Sequence, residues 1–126
     1  MRLLLDTHAL LWALARPDRL PARASGALRE PSNDVFVSAA STWEIAIKAA
    51  LGKLDGDVAA IAAEARSLGF TDLAVTIAHT LRVRDLEPHH RDPFDRILVA
   101  QALDEGLTIV THDEAFDAYR APILWR

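Results

Sequence analysis

Cysteine is missing from the 126 residues, which excludes disulfides, thiolate zinc sites and a cysteine nucleophile. Lysine is scarce: Lys48 and Lys53 are the only two. No apolar run approaches the length that spans a bilayer. The opening stretch MRLLLDTHALLWALARPDR could pass for a signal peptide, but Asp6 and His8 interrupt it and no small-residue cleavage site follows. Repeats, linkers and low-complexity segments are absent too. These absences leave a cytoplasmic protein without a membrane segment as the expectation. The length fits one domain over 1–126, large enough to bury a real core. With 51% hydrophobic and 25% charged residues, the chain has the balance of an ordinary globular protein. Its net charge of −4 argues against a protein that simply coats nucleic acid.

Charge is unevenly spread, however. Arg16, Arg19, Arg23 and Arg29 cluster early, and Arg82, Arg84, Arg91 and Arg96 cluster later. Arginines around an acidic pocket would attract a phosphate backbone without changing the overall sign; a solvated surface is the plain alternative.

Strand and helix signals alternate. Arg2–Leu5 is a short apolar run closed by Asp6, and Thr7–Ala15 carries leucines at helical spacing up to Arg16-Pro17. A second short helix runs from Pro21 to Arg29, and Val35–Ser38 is a second strand. Ser41 or Thr42 is expected to cap a helix closing at Gly52, followed by an alanine-rich helix over Asp57–Leu68. Phe70–Val75 reads as a third strand and Thr76–Val83 as a helix. Asp92-Pro93 starts a helix to about Glu105, which Gly106 ends. Leu107–Val110 is a fourth strand, Glu114–Tyr119 a short helix and Ile123–Trp125 an edge strand. The alternation predicts an α/β fold with a mainly parallel sheet of four to five strands and helices on both faces.

Four acidic residues stand in distinct short motifs: Asp6 in LLLDTH, Glu44 in STWEIAIK, Asp95 in HHRDPFDR and Asp113 in IVTHDEAF. Each has a structural reading. Asp6, Asp92 and Asp113 can cap helices. Glu44 precedes Lys48 by one turn, the favourable order for an ion pair, and Asp95 sits where a negative charge favours the helix dipole. Jointly the four say more. Asp6 and Asp113 end strands far apart in sequence, while Glu44 and Asp95 lie early in helices that follow strand ends. All four can therefore face one crevice at the carboxyl edge of the sheet. Carboxylates gathered there repel one another unless a cation holds them. Hard oxygen donors favour Mg²⁺ or Mn²⁺ over zinc. One or two such ions lower the pKa of a bound water and neutralise charge on a phosphoryl group, a route to phosphodiester hydrolysis that needs no side-chain nucleophile. Thr7 and Thr111 are placed to hydrogen-bond the carboxylates or a water.

Taken in order, LLLDTH, STWEIAIK, HHRDPFDRILVAQAL and IVTHDEAF resemble the PIN-domain family, specifically the VapC-like toxins of toxin–antitoxin pairs. The resemblance covers essentially the whole chain, and HRDPFDRILVAQA is its most specific segment. It implies a three-layer α/β/α sandwich and an Mg²⁺- or Mn²⁺-dependent endoribonuclease. It also implies a small cognate antitoxin and a homodimer. By position, Asp6, Glu44, Asp95 and Asp113 match the family's acidic quartet, as catalytic residues and metal ligands. Asp92 matches the aspartate opening the DPFDR segment, read as a cap first and a ligand second. Arg96 follows Asp95 and either positions the helix or meets phosphate.

Other residues are open to two readings. His89 and His90 beside Asp92 hint at zinc, although adjacent histidines seldom face one ion. His8 and His112 each neighbour a proposed ligand and read as polar side chains near the site or as aids to proton transfer. Trp12, Trp43 and Trp125 read as core or interface packing, with stacking on an unpaired base as the alternative. The alanine-rich helix is a candidate partner surface or ordinary core. Two rival functions remain: an aspartate-phosphorylated phosphotransfer protein, which needs an acid beside the first-strand aspartate where this chain has Thr7 and His8, and a non-catalytic binding module, which has no reason to keep four mutually repelling acids.

Overall fold

A computed structural model describes residues 1–88 and 92–126. His89, His90 and Arg91, and with them the zinc reading of the two histidines, lie outside the described residues. The elements run β1 (Arg2–Leu5), α1 (Thr7–Ala15), β2 (Asp34–Ser38) and α3 (Ala39–Ala50), with α2 (Ala22–Arg29) between α1 and β2. Then come α4 (Val58–Ser67), β3 (Thr71–Leu73), α5 (Ile77–Arg84), α6 (Pro93–Glu105), β4 (Thr108–Val110) and β5 (Ile123–Leu124). Two 3₁₀ turns, Pro17–Arg19 and Glu114–Ala118, complete the path.

All five strands are parallel neighbours in the order β3-β2-β1-β4-β5. Parallel strands covered on both faces are apolar throughout, and their side chains alternate between the two cores. Leu4, Phe36, Ile109 and Ile123 sit in register on one face, where they meet Leu98, Val99 and Ala102 of α6. Leu3, Leu5, Val35, Val37, Val110 and Leu124 point the other way, onto Leu10 of α1, Ala24 of α2, Ile45 of α3 and Ala65 of α4. Leu3, Leu4 and Leu5 are wholly inaccessible, and each contributes about 1.5–3 kcal/mol by leaving water. This is the expected three-layer α/β/α sandwich, with β1 at its centre.

Helix ends follow local chemistry. Asp92 accepts amide protons from Phe94 and Asp95, Pro93 occupies the first turn, and Gly106 closes α6 in the left-handed conformation at φ 69°. One cap differs from expectation. Ser38, not Ser41 or Thr42, starts α3 by accepting from Ala40 N–H at 3.0 Å. β2 therefore passes into the helix with no intervening loop, and Ser41 is buried inside it. β3 is also shorter than the expected Phe70–Val75, because it is an edge strand with a single neighbour and pairs only over Thr71, Asp72 and Leu73.

The strand order positions the site. From β1 the chain steps to β2 and β3 on one side, then crosses to β4 and β5 on the other. Adjacent carboxyl ends of β1 and β4 thus open the crevice at which open α/β sheets bind ligands. Asp6 follows β1 there, and Thr111 follows β4.

Candidate metal centre

Asp6 is 4% exposed and both its oxygens are engaged. Oδ1 accepts the Ala9 amide proton at 2.7 Å, capping α1, and Oδ2 accepts the Thr111 hydroxyl proton at 2.5 Å. Its backbone N–H continues the ladder by donating to Val110 O at 3.1 Å. Burial raises the Asp6 pKa above the ordinary 3.8, against the opposing pull of the Thr111 and Ala9 hydrogen bonds and of His8 and His112.

Glu44 is 6% exposed on the inner side of α3. Its Oε1 accepts the Thr7 hydroxyl proton at 2.6 Å and its Oε2 accepts from Lys48 Nζ at 2.7 Å. The Lys48 ammonium has its pKa raised, chiefly by that hydrogen bond and further by the charges of Glu44, Asp92 and Asp95, against desolvation. Lys48 therefore ties Glu44 electrostatically to the start of α6. It is the cation among acids drawn from two helices.

Asp113 is half-buried and caps the 3₁₀ turn by accepting from Ala115 N–H at 2.9 Å. Its own N–H donates to Thr111 Oγ1 at 3.0 Å. One threonine hydroxyl thus accepts from Asp113 and donates to Asp6. The chain of contacts runs Asp113, Thr111, Asp6, then across the peptide to Thr7, Glu44 and Lys48, with the charges of Asp92 and Asp95 reaching Lys48. Asp6 and Thr7 follow β1, Thr111 and Asp113 follow β4, and Glu44 reaches Thr7 from α3.

Not every candidate has the same place. The four carboxylates are spread wider than a closed ligand shell. Among the described residues, three ligand atoms within 4.8 Å of one another occur at His79, Asp104 and Glu105 and not within the quartet. That other group reads as a structural lock. His79 Nδ1 accepts the Thr76 amide proton at 3.0 Å, which leaves the Nε2 proton to be donated to Glu105 at 2.9 Å. An Nε2 facing a metal would need its proton on the other nitrogen, where the Thr76 N–H already points. Arg96 is hydrogen-bonded within the protein. Its guanidinium donates to Glu87 O at 2.9 Å, Tyr119 Oη at 3.1 Å and Val83 O at 3.3 Å, tying the α5–α6 loop to α6.

Sequence reasoning missed Lys48 as a cation central to the cluster, reading it only as an ion-pair partner. Its (i, i+4) spacing from Glu44 carried the pairing, but nothing local shows that Asp92 and Asp95 come near. Trp43 departs from the core reading. It is 63% exposed, packs edge-on to Phe94 at 5.1 Å and lines an apolar groove with Val75, Val83 and Ile97. Its interface reading remains.

The donor chemistry suits a hard divalent cation: carboxylates and hydroxyls, no sulfur, and an ammonium held where positive charge is wanted. The family model for the PIN domain matches residues 3–122. Over 125 residues the chain is 30% identical to ribonuclease VapC22 of Mycobacterium tuberculosis, covering 94% of this chain and 92% of that protein. In fold it is similar to VapBC2 from Rickettsia felis, solved bound to a promoter DNA fragment, with TM-score 0.72, 15% identity and full coverage of both chains. It is likewise similar to VapBC-1 from nontypeable Haemophilus influenzae, with TM-score 0.68, 17% identity and coverage of 98% of this chain and 97% of that one. FitAcB from Neisseria gonorrhoeae follows at TM-score 0.63 and 21% identity, covering 97% and 96% of the two chains.

Proposed function

Since this chain belongs to the PIN-domain family, we propose that it is a metal-dependent endoribonuclease, the toxin of a toxin–antitoxin pair, with Asp6, Glu44, Asp95 and Asp113 as its metal-holding carboxylates. One observation carries the reading: a buried aspartate at the β1/β4 switch is linked through two threonines to Glu44 and Asp113, with the Lys48 ammonium paired to Glu44. An acid with a raised pKa, on an edge made for ligands, is costly to keep unless a cation offsets it. The 30% identity to a protein named a ribonuclease supports the activity.

Asp6 would bind the ion from the end of β1, Glu44 from α3, Asp95 from α6 and Asp113 from the turn after β4. Mg²⁺ or Mn²⁺, when bound, supplies an activated water and neutralises charge on the phosphoryl group. The protein's own part is positioning. Thr111 holds the Asp6 carboxylate through Oδ2, the Ala9 amide holds it through Oδ1, and Thr7 fixes Glu44. Asp92 caps α6 and thereby places Asp95, while Arg96 anchors the same helix. Lys48 compensates charge when the ion is away.

Relatives solved as VapBC and FitAB assemblies support a small antitoxin partner. A homodimer fits the apolar groove lined by Trp43, Val75, Val83, Phe94 and Ile97, where Trp43 is 63% exposed. No helix among the described residues is long and apolar enough to cross a membrane, and a cytoplasmic place suits an enzyme that acts on cellular RNA.

The test is cleavage of a labelled RNA with Mg²⁺, with Mn²⁺ and in chelator, by the parent and by Asp6→Asn and Asp113→Asn. Asparagine caps a helix about as well as aspartate, so loss of cleavage with an intact fold separates ligand from cap. Cleavage at the parent rate by both variants would remove these acids from the site.

A further inference from the structure

Three of the four proposed ligands share a web of hydroxyl bonds. Thr111 joins Asp113 to Asp6, and Thr7, next to Asp6 in the chain, holds Glu44. Asp95 arrives by another route, as the third residue of α6, with its amide proton on the Asp92 cap. Its place relative to Asp113 depends on how α6 is held against the turn that Asp113 starts.

The next residue makes that hold. Besides the carbonyls that follow α5, the Arg96 guanidinium reaches the Tyr119 hydroxyl oxygen at 3.1 Å. Tyr119 closes the 3₁₀ turn Glu114–Ala118, donating its N–H to Phe116 O at 3.2 Å, and Asp113 caps the other end of the same turn. One bond thus joins the residue after Asp95 to the far end of the turn headed by Asp113. The two elements also pack, since Phe116 and Tyr119 share a core cluster with Leu98, Val99 and Ala102 of α6. Apolar contact brings a helix and a turn together but has no direction. A planar guanidinium donating to both sides does have one, and it fixes their slide and rotation. Tyr119 is 8% exposed, and phenylalanine would fill the same space without a hydroxyl to satisfy.

We propose that Tyr119 is a positioning residue for the metal centre: through Arg96 it sets the separation of Asp95 and Asp113, and with it the spread of carboxylates that a divalent ion meets. The proposal rests on the reading of these acids as ligands. A hydroxyl carries no net charge, so its effect on the ion comes through geometry and not through attraction or repulsion.

The experiment reads Mn²⁺ binding to the full chain by paramagnetic resonance of the free ion, beside thermal melts and RNA cleavage. Tyr119→Phe keeps the ring, so its melting temperature should fall by no more than about 5 °C. Its Mn²⁺ affinity should fall about three- to tenfold, less than the roughly 10–100-fold lost when a group bonded to a ligand is removed. The kcat for RNA should fall with it while KM stays within about twofold. Ile123→Val thins the same core from β5, and should lower the melt without changing the affinity. In Asp95→Asn protein, which starts from weaker Mn²⁺ binding, adding Tyr119→Phe should cost no further affinity, because the carboxylate it positions is gone. Equal Mn²⁺ affinity of Tyr119→Phe and parent overturns the proposal, and so does a full loss added on top of Asp95→Asn. A parent that binds no Mn²⁺ overturns the ligand reading and the proposal together. A parent that binds Mn²⁺ but cuts no RNA sinks the nuclease reading alone, and the affinities still decide the role of Tyr119.

Discussion

Thr111 donates its hydroxyl proton to Asp6 Oδ2 at 2.5 Å across a sequence separation of 105 residues. The Thr111 hydroxyl oxygen in turn accepts the Asp113 amide proton. A hydroxyl that both donates and accepts holds two acidic residues in fixed relation, which neither a methyl group nor an ammonium can do.

Thr111→Val keeps the shape and removes this link. The Asp6 carboxylate then loses a buried donor, and the metal-free protein should lose about 1–3 kcal/mol, read as a drop in denaturant midpoint at unchanged slope. RNA cleavage should fall at least about tenfold. Unaltered stability and rate together would show that the bond does not hold the site.

Asp6 gives a prediction with a definite sign in pH. Burial raises its folded pKa above 3.8, so its ionised form weighs against folding at neutral pH. The penalty is full above the folded pKa, is relieved as pH falls through that value, and stops changing below 3.8. In chelator, Asp6→Asn should therefore melt a few degrees higher than the parent at pH 7, and the gap should close toward pH 4. A gap that widens on acidification would refute the assignment.

Lys48 occupies the place of positive charge among Glu44, Asp92 and Asp95. Lys48→Gln removes a competitor of the incoming ion, so calorimetric titration with Mg²⁺ or Mn²⁺ should show affinity rising roughly three- to tenfold. The metal-free protein should lose about 1 kcal/mol, because Glu44 stays buried without its ion-pair partner while Lys48 itself is partly solvated. Weaker metal binding in this variant would make Lys48 a positioning residue instead.

Trp43 is the exposed aromatic of the apolar groove. Replacing it by lysine puts a charge where a second copy would pack, and sedimentation should shift from dimer to monomer with the melt of the protomer kept. A dimer that persists at micromolar concentration would move the interface elsewhere.

Much of this architecture was legible in the sequence where one residue has one job. Asp92-Pro93 and Gly106 bracket α6, and Arg2–Leu5 followed by Asp6 marks a buried strand and a cap at once. The start of α3 was harder to see, since Ser38, Ser41 and Thr42 all have capping side chains and only the sheet register shows which one ends the strand. Trp43, Ile47 and Leu51 repeat at helical spacing as a core face does, but periodicity cannot tell a core from a face left open, and Trp43 and Leu51 are exposed. The strand-end acids were readable because α/β sheets gather such ends on one edge. The His79–Glu105 lock was not, because it joins two helices whose packing angle no local pattern encodes.

The central strand β1 is made before both of its neighbours, β2 soon after it and β4 much later. Asp6 leaves the ribosome long before Thr111 exists, and closing so long a loop gives nothing until the partner strand arrives. A chain stopped short of β4 has a cap without a hydroxyl to hold it and a sheet with a bare centre. Such a fragment cannot make the Asp6–Thr111 hydrogen bond, so the buried carboxylate waits for the last third of the chain.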